Sequence, residues 1–214
     1  MQFRLFLLFD KHVYFWYYHD MSTVYLLYGK SGCGKGTQAQ LLKERLESQG
    51  RSVIYVETGK LFRAFSESNP GFMGDHVKSV IDAGKLMPAF FPVYLWSRAI
   101  VEGYTGTQDI ILDGVARRIE EASIVDSALD FLEINNRYVM HINVSDAWVF
   151  DHMGKRDRAD DTTEGMQKRL SWFTENVMPV INYFSENKKY TSITINGEQT
   201  IEQVSDDIEH ELGK

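Results

Sequence analysis

The stretch Val24-Tyr-Leu-Leu-Tyr28, followed at once by Gly29-Lys-Ser-Gly-Cys-Gly-Lys-Gly-Thr37, decides how this chain is read. An unbroken apolar run of strand composition enters a glycine-rich turn, and a long amphipathic stretch, 38–49, leaves it. The turn has the form Gly-x-x-x-x-Gly-Lys, with Gly29 and Gly34 as its fixed glycines and Lys35 after them. Glycines let successive backbone N–H groups curl inward and approach phosphate oxygens closely. The helix that follows aims the positive end of its dipole at the same point, and Lys35 adds a mobile charge for the outer phosphates. A glycine-rich turn that binds nothing is the alternative, and the strand before and helix after argue against it.

The remainder is ordinary for one α/β domain with a small inserted subdomain: 214 residues, 43% hydrophobic and 25% charged. A net charge of −7 and a pI near 5.4 argue against a nucleic-acid partner, which favours a basic surface. They leave room for a nucleotide, whose countercharge can be local. Cys33 is the single cysteine, so neither an intrachain disulfide nor a cysteine-cluster zinc site can form. That fits a reducing cytosol, and a cytoplasmic protein is expected. Cys33 itself reads as a small residue filling a tight turn, or as a thiol favoured by a helix N-terminus; alkylating it is expected to block nucleotide binding.

Residues 1–20 differ from the rest. Phe3-Arg-Leu-Phe-Leu-Leu-Phe9 is too short to span a bilayer, and the aromatic patch after it lacks the small-residue site of a signal peptide. They read as an N-terminal extension of unknown role, with the working domain at 21–214. A short interfacial or packing segment is the alternative. No membrane partner is expected.

Beyond the glycine-rich turn, strands are expected at Val53–Glu57, 108–112, 137–144 and 191–195. Helices are expected at 60–66, 76–82, from a start bracketed by Pro88 and Pro92 through Trp96 to Val101, 118–132, Asp146–Met153, 163–184 with an interruption near Pro179, and 200–212. Strands alternating with helices predict an α/β fold, a five-stranded parallel sheet with helices on both faces. Ligands in such folds gather at the carboxyl ends of the strands. There the sequence places Lys35 after the first strand, Thr58, Gly59 and Arg63 after the second, and Asp113, Gly114 and Arg117 after the third. Arg156, Arg158 and Arg169 follow the fourth. A lysine and five arginines converging in an acidic protein imply a strongly anionic ligand.

From about Val24 to Leu212 the chain resembles the adenylate kinases and their relatives among the nucleoside-monophosphate kinases. The phosphate loop carries the family's Gly-Thr after its lysine as Gly36-Thr37. The family's T-G-x-x-x-R stands as Thr58-Gly59 with Arg63, and its G-K-L-V as Gly84-Lys85-Leu86-Met87. Its D-G-F-P-R stands as Asp113-Gly-Val-Ala-Arg117, its R-x-D-D as Arg158-Ala-Asp160-Asp161, and its K-R-L as Lys168-Arg169-Leu170. The resemblance implies a P-loop fold with a nucleoside-monophosphate-binding subdomain at 58–87 and a vestigial lid at 155–161. It implies ATP over Gly29, Ser31, Gly32, Cys33, Gly34, Lys35, Gly36 and Thr37, with His152 against the base. The monophosphate would lie against Thr58, Gly59, Arg63, Gly84, Met87, Gly114, Arg117 and Glu121. Lys35, Arg117, Arg156, Arg158 and Arg169 would serve the transferring phosphoryl group, and Asp113 would hold Mg²⁺ through water. A monomer is expected.

Three departures bear on detail. Only Asp157 separates Arg156 from Arg158, where the family places a lid, so hydrolysis of ATP without acceptor is expected to exceed that of long-lid relatives. Ala116 replaces the proline of D-G-F-P-R, which is expected to loosen the chain before Arg117. Glu121 stands where the family has a glutamine on adenine; it either faces solvent or favours a base presenting N–H donors. AMP leads as acceptor, with GMP, UMP or CMP as alternatives. A catalytically weak nucleotide-binding regulatory or assembly protein is the rival of another class.

Overall fold

The computed structural model describes residues 22–153 and 163–213; the expectations placed on 1–20, on 155–161 and on Arg156 and Arg158 lie outside them. β1 (Thr23–Tyr28) is buried along its whole length, as a central parallel strand covered on both faces must be. β2 (Val53–Glu57), β3 (Asp109–Asp113), β4 (Asn136–Asn143) and β5 (Thr191–Asn196) complete a five-stranded sheet in the order β2-β3-β1-β4-β5. Every pairing in it is parallel. The edge strand β5 buries only alternate residues, Ile193 and Ile195.

The helices are α1 (Lys35–Ser48), α2 (Thr58–Ser68), α3 (Phe72–Asp82), α4 (Phe90–Gly103), α5 (Ile119–Phe131), α6 (Asp146–Met153), α7 (Thr163–Trp172), α8 (Met178–Glu186) and α9 (Ile201–Leu212). Strand alternation sorts the core into two layers. Val24, Leu26, Tyr28, Ile110 and Leu112 pack with Trp96 of α4, Leu129 of α5 and Phe184 of α8. Tyr25, Leu27, Ile111 and Met140 pack with Leu42 of α1 and Ile208 of α9. A smaller cluster of Phe62, Val77, Met87, Phe91 and Leu95 fastens α2 and α3 to the start of α4. Among the described residues no helix is long and apolar enough to cross a membrane.

Element boundaries move for identifiable reasons. α1 starts at Lys35 rather than 38, because Gly36 masks its first turn and its first buried residues are Gln38 and Ala39. The expected helix 163–184 is broken by a wide π turn, Phe173–Val177, in which the Met178 N–H donates to the Phe173 carbonyl. Pro179 has no N–H to continue the ordinary ladder, and the chain widens just ahead of it. α9 opens on a capping box in which Thr200 and Gln203 satisfy each other's backbone N–H.

Two polar groups, Asp109 buried and Asp126 partly buried, tie the far parts together. At the N-terminal edge of the sheet, Asp109 Oδ1 accepts from the Thr23 N–H at 2.8 Å and from Arg51 at 2.5 Å. Beside β4, Asp126 accepts from Tyr183 (2.6 Å), Tyr190 (2.5 Å) and Asn187 (3.1 Å). Arg137 lies against it, buried, its Nη1 3.8 Å from Asp126 and its Nη2 donating to Asp130 at 2.8 Å.

Candidate active site

Register brings the site together. Leu27 of β1 lies opposite Asp113 of β3, and Asp113 lies opposite Glu57 of β2. The three strands therefore end at one level, and the glycine-rich loop, the 57–59 turn and the 113–117 turn open side by side. One cleft is lined by Gly29, Ser31, Gly32, Lys35 and Gly36 from the first, by Glu57, Thr58, Gly59 and Arg63 from the second, and by Asp113, Gly114, Arg117 and Glu121 from the third. Gly84 and Met87 complete it from the α3–α4 segment, and Arg169 from α7.

On the loop side, α1 begins without a side-chain cap and without an acidic residue in its first turn. Its unpaired N–H groups and its dipole are thus left for an anion. Lys35 curls over the loop, its ammonium donating to the carbonyls of Gly29 (2.8 Å) and Lys30 (3.1 Å). Gly29 has no substitute: a Cβ there would stand 2.5 Å from the Ile142 carbonyl oxygen and 2.6 Å from Cys33 Sγ.

On the opposite side, Arg117 Nε donates to the Gly114 carbonyl at 2.9 Å, and its guanidinium lies 5.6 Å from the centroid of the Trp172 ring. Gly114 adopts φ +65°, and a Cβ on it would meet Arg117 Nη2 at 2.8 Å. Arg63 pairs with Glu57 at 3.2 Å. The Thr58 hydroxyl donates to the Gly114 carbonyl at 3.0 Å, so it pins the second turn to the third. Asp113, 6% exposed, accepts from the Tyr55 hydroxyl at 3.2 Å. Burial raises its carboxyl above the usual range, while Lys35 and Arg117 pull it down.

Other expected residues have surroundings of their own. Thr37 faces outward on α1, and neither it, Cys33 nor Gly34 lines the cleft. His152 lies flat on Trp148, ring centroids 3.8 Å apart, with Nδ1 2.9 Å from the Trp148 carbonyl; it is committed to its own helix. Ala116 is fully buried and adopts φ +55°, a left-handed conformation costing a non-glycine residue about 1 kcal/mol. Glu121 does not face solvent: it is 2% exposed.

Cys33 is also buried, packed with Ile142, Val144, Val149 and Met166, which matches the tight-turn reading. Its alkylation in the folded protein should run about a hundredfold slower than in denaturant, since access needs local opening. Equal rates measured by mass spectrometry would contradict that burial.

The residues that sequence reasoning missed are Tyr55, which reaches Asp113, and Trp172, whose indole N–H donates to the Gly84 carbonyl at 3.1 Å. Trp172 and Phe173 follow Arg169 at helical spacing, i+3 and i+4, and this was the available signal.

A central parallel sheet, a glycine-rich loop running into an uncapped helix, and facing cations at the same strand ends define a P-loop nucleotide-binding fold. The adenylate kinase family model matches residues 27–189. An adenylate kinase of Corynebacterium aurimucosum is 34% identical over 195 residues, covering 89% of this chain and 99% of that protein. Adenylate kinase 1 of a Nostoc species is 31% identical, covering 86% and 96%. An adenylate kinase of Mycobacterium leprae is 32% identical, covering 88% and 98%. The chain belongs to the adenylate kinase family, a family of phosphotransferases.

Proposed function

We propose that the chain transfers the terminal phosphoryl group of ATP to a nucleoside monophosphate, AMP first, giving two ADP. One observation carries the reading: a single cleft has two anion-binding halves, the loop with Lys35 on one side and Arg63, Arg117 and Arg169 on the other. A one-nucleotide switch needs only the first half.

In this reading ATP lies over Gly29–Gly36 with its phosphates toward the start of α1, and Lys35 leaves the loop carbonyls for the outer phosphates. Arg63 and Arg117 hold the acceptor phosphate, with 58–87 as the subdomain that carries the acceptor. The in-line transfer passes through a loose transition state whose charge spreads over oxygens, so positioned cations do most of the work and no covalent nucleophile is needed. Arg169 faces that charge from α7, and Arg156 and Arg158 keep the roles that the family resemblance gives them. All the assigned groups come from one chain, which supports a monomer, and we place it in the cytoplasm.

Mg²⁺ fits this site. Asp113 is a buried carboxylate lining the cleft, and among the described residues its one side-chain hydrogen bond is from a tyrosine hydroxyl. Among the described residues no cluster of three or more metal-ligating side chains exists. That suits a cation that keeps its waters and arrives on the triphosphate. When bound, it neutralises charge between the outer phosphates.

A coupled assay with ATP, Mg²⁺ and AMP, GMP, CMP or UMP in turn tests the proposal. AMP should be turned over fastest. Tight ATP binding with no transfer to any of the four would replace the enzyme with a nucleotide-binding regulator.

A further inference from the structure

Among the described residues three carboxylates line the cleft, and two are spoken for. Glu57 pairs with Arg63 and Asp113 accepts from Tyr55. Glu121, in the first turn of α5, differs: its Oε2 accepts only the Arg117 backbone N–H, at 3.3 Å. Among the described residues Oε1 has no partner. A buried carboxylate without a cation on it is costly, and a neutral carboxylic acid avoids that cost.

The surroundings favour the neutral form. From β1, the Tyr28 hydroxyl is engaged with the Val115 carbonyl at 2.8 Å and does not donate to Glu121. From the 113–117 turn, the Arg117 guanidinium is drawn to the Gly114 carbonyl and the Trp172 ring. On α5 itself, Arg118 attracts and Glu120 repels. Arg169 of α7 acts on Arg117, and the π turn contributes only Phe173 and Val177 to the cleft wall. Burial outweighs these charges and pushes the carboxyl up to about 7.

We propose that Glu121 reads the acceptor base as a neutral acid, its O–H donating to N1 of adenine while its carbonyl oxygen accepts from the exocyclic amino group. An ionised carboxylate offers acceptors only, so it opposes the N1 lone pair of adenine and suits guanine, which presents two N–H donors. The nucleobase preference of this site is thus set by one proton, and AMP binding takes that proton up. The inference rests on the reading of the cleft as a monophosphate site.

Linkage fixes the sign. Below about pH 7 the empty site already holds the proton; above it, AMP must draw one from solution, and its affinity falls by up to tenfold per pH unit. The phosphate of AMP, titrating near pH 6, is out of the way there. Calorimetry of AMP binding at about pH 8, in two buffers of different ionisation enthalpy, should report uptake of close to one proton by the wild-type protein. In Glu121→Gln, whose amide has the same donor and acceptor at every pH, both the uptake and the slope of Kd should vanish; its melting curve reports whether it folds. GMP binding should not weaken with pH as AMP binding does. Wild-type AMP binding with no proton uptake and a flat Kd above pH 7 overturns the inference, while AMP turnover in the coupled assay would leave the kinase assignment standing. Absence of transfer to every monophosphate would instead remove that assignment.

Discussion

Lys35→Met lowers kcat by about a thousandfold and moves the thermal midpoint by no more than a few degrees. Among the described residues the ammonium makes its oxygen hydrogen bonds with two carbonyls of its own loop, so its loss removes little from the folded chain. In the transfer proposed above it would face charge on the outer phosphates, where a single preorganised cation or donor is worth roughly 10²–10³ and an arginine finger up to about 10⁵. The loop backbone and the start of α1 still bind ATP, so KM for ATP should rise much less than kcat falls. Initial-rate kinetics with a melting curve check both halves, and a kcat within threefold of wild type would remove Lys35 from the chemistry.

The second large effect concerns stability alone. Asp126→Ala should cost about 3–5 kcal/mol, because each shielded donor left without its acceptor costs about 1–3 kcal/mol. Three donors lose their acceptor at once, while Arg137 keeps the Ile134 carbonyl and Asp130, whose side chain is half exposed. At roughly 2–4 °C per kcal/mol for a domain of this size, the midpoint falls by about 10 °C. None of these groups lines the cleft, so kcat measured well below the midpoint should stay near wild type. A midpoint shift under 3 °C, or a matching loss of kcat, would contradict the assignment of this network to stability.

What was legible in the sequence follows from what is local. The run Val24–Tyr28 into Gly29 could be read because composition, turn and helix are contiguous, and the strand–helix alternation gave the parallel sheet. The cations at strand ends were legible because topology places strand ends together whatever their register. Glu121 was not, since only the packing of α5 against β1 and α8 decides whether a first-turn carboxylate is buried. Tyr55 was hidden for a similar reason: its reach to Asp113 depends on pairing between β2 and β3. The hydrogen bond from the Thr58 hydroxyl to a carbonyl 56 residues away leaves no trace in sequence either. The stacking of His152 on Trp148, one turn back, is equally invisible there.

The backbone at Ala116 has a consequence for how this turn can change by mutation. A proline, with φ held near −65°, cannot occupy a residue at φ +55°. The Asp113–Arg117 turn seen here and the proline-bearing version that the family resemblance names are therefore separate local solutions. No single exchange at 116 leads from one to the other without moving Arg117. Residues 114–117 are best regarded as one heritable unit, in which the tolerance of each position depends on its neighbours. Transplanting the segment whole should be milder than inserting the proline alone.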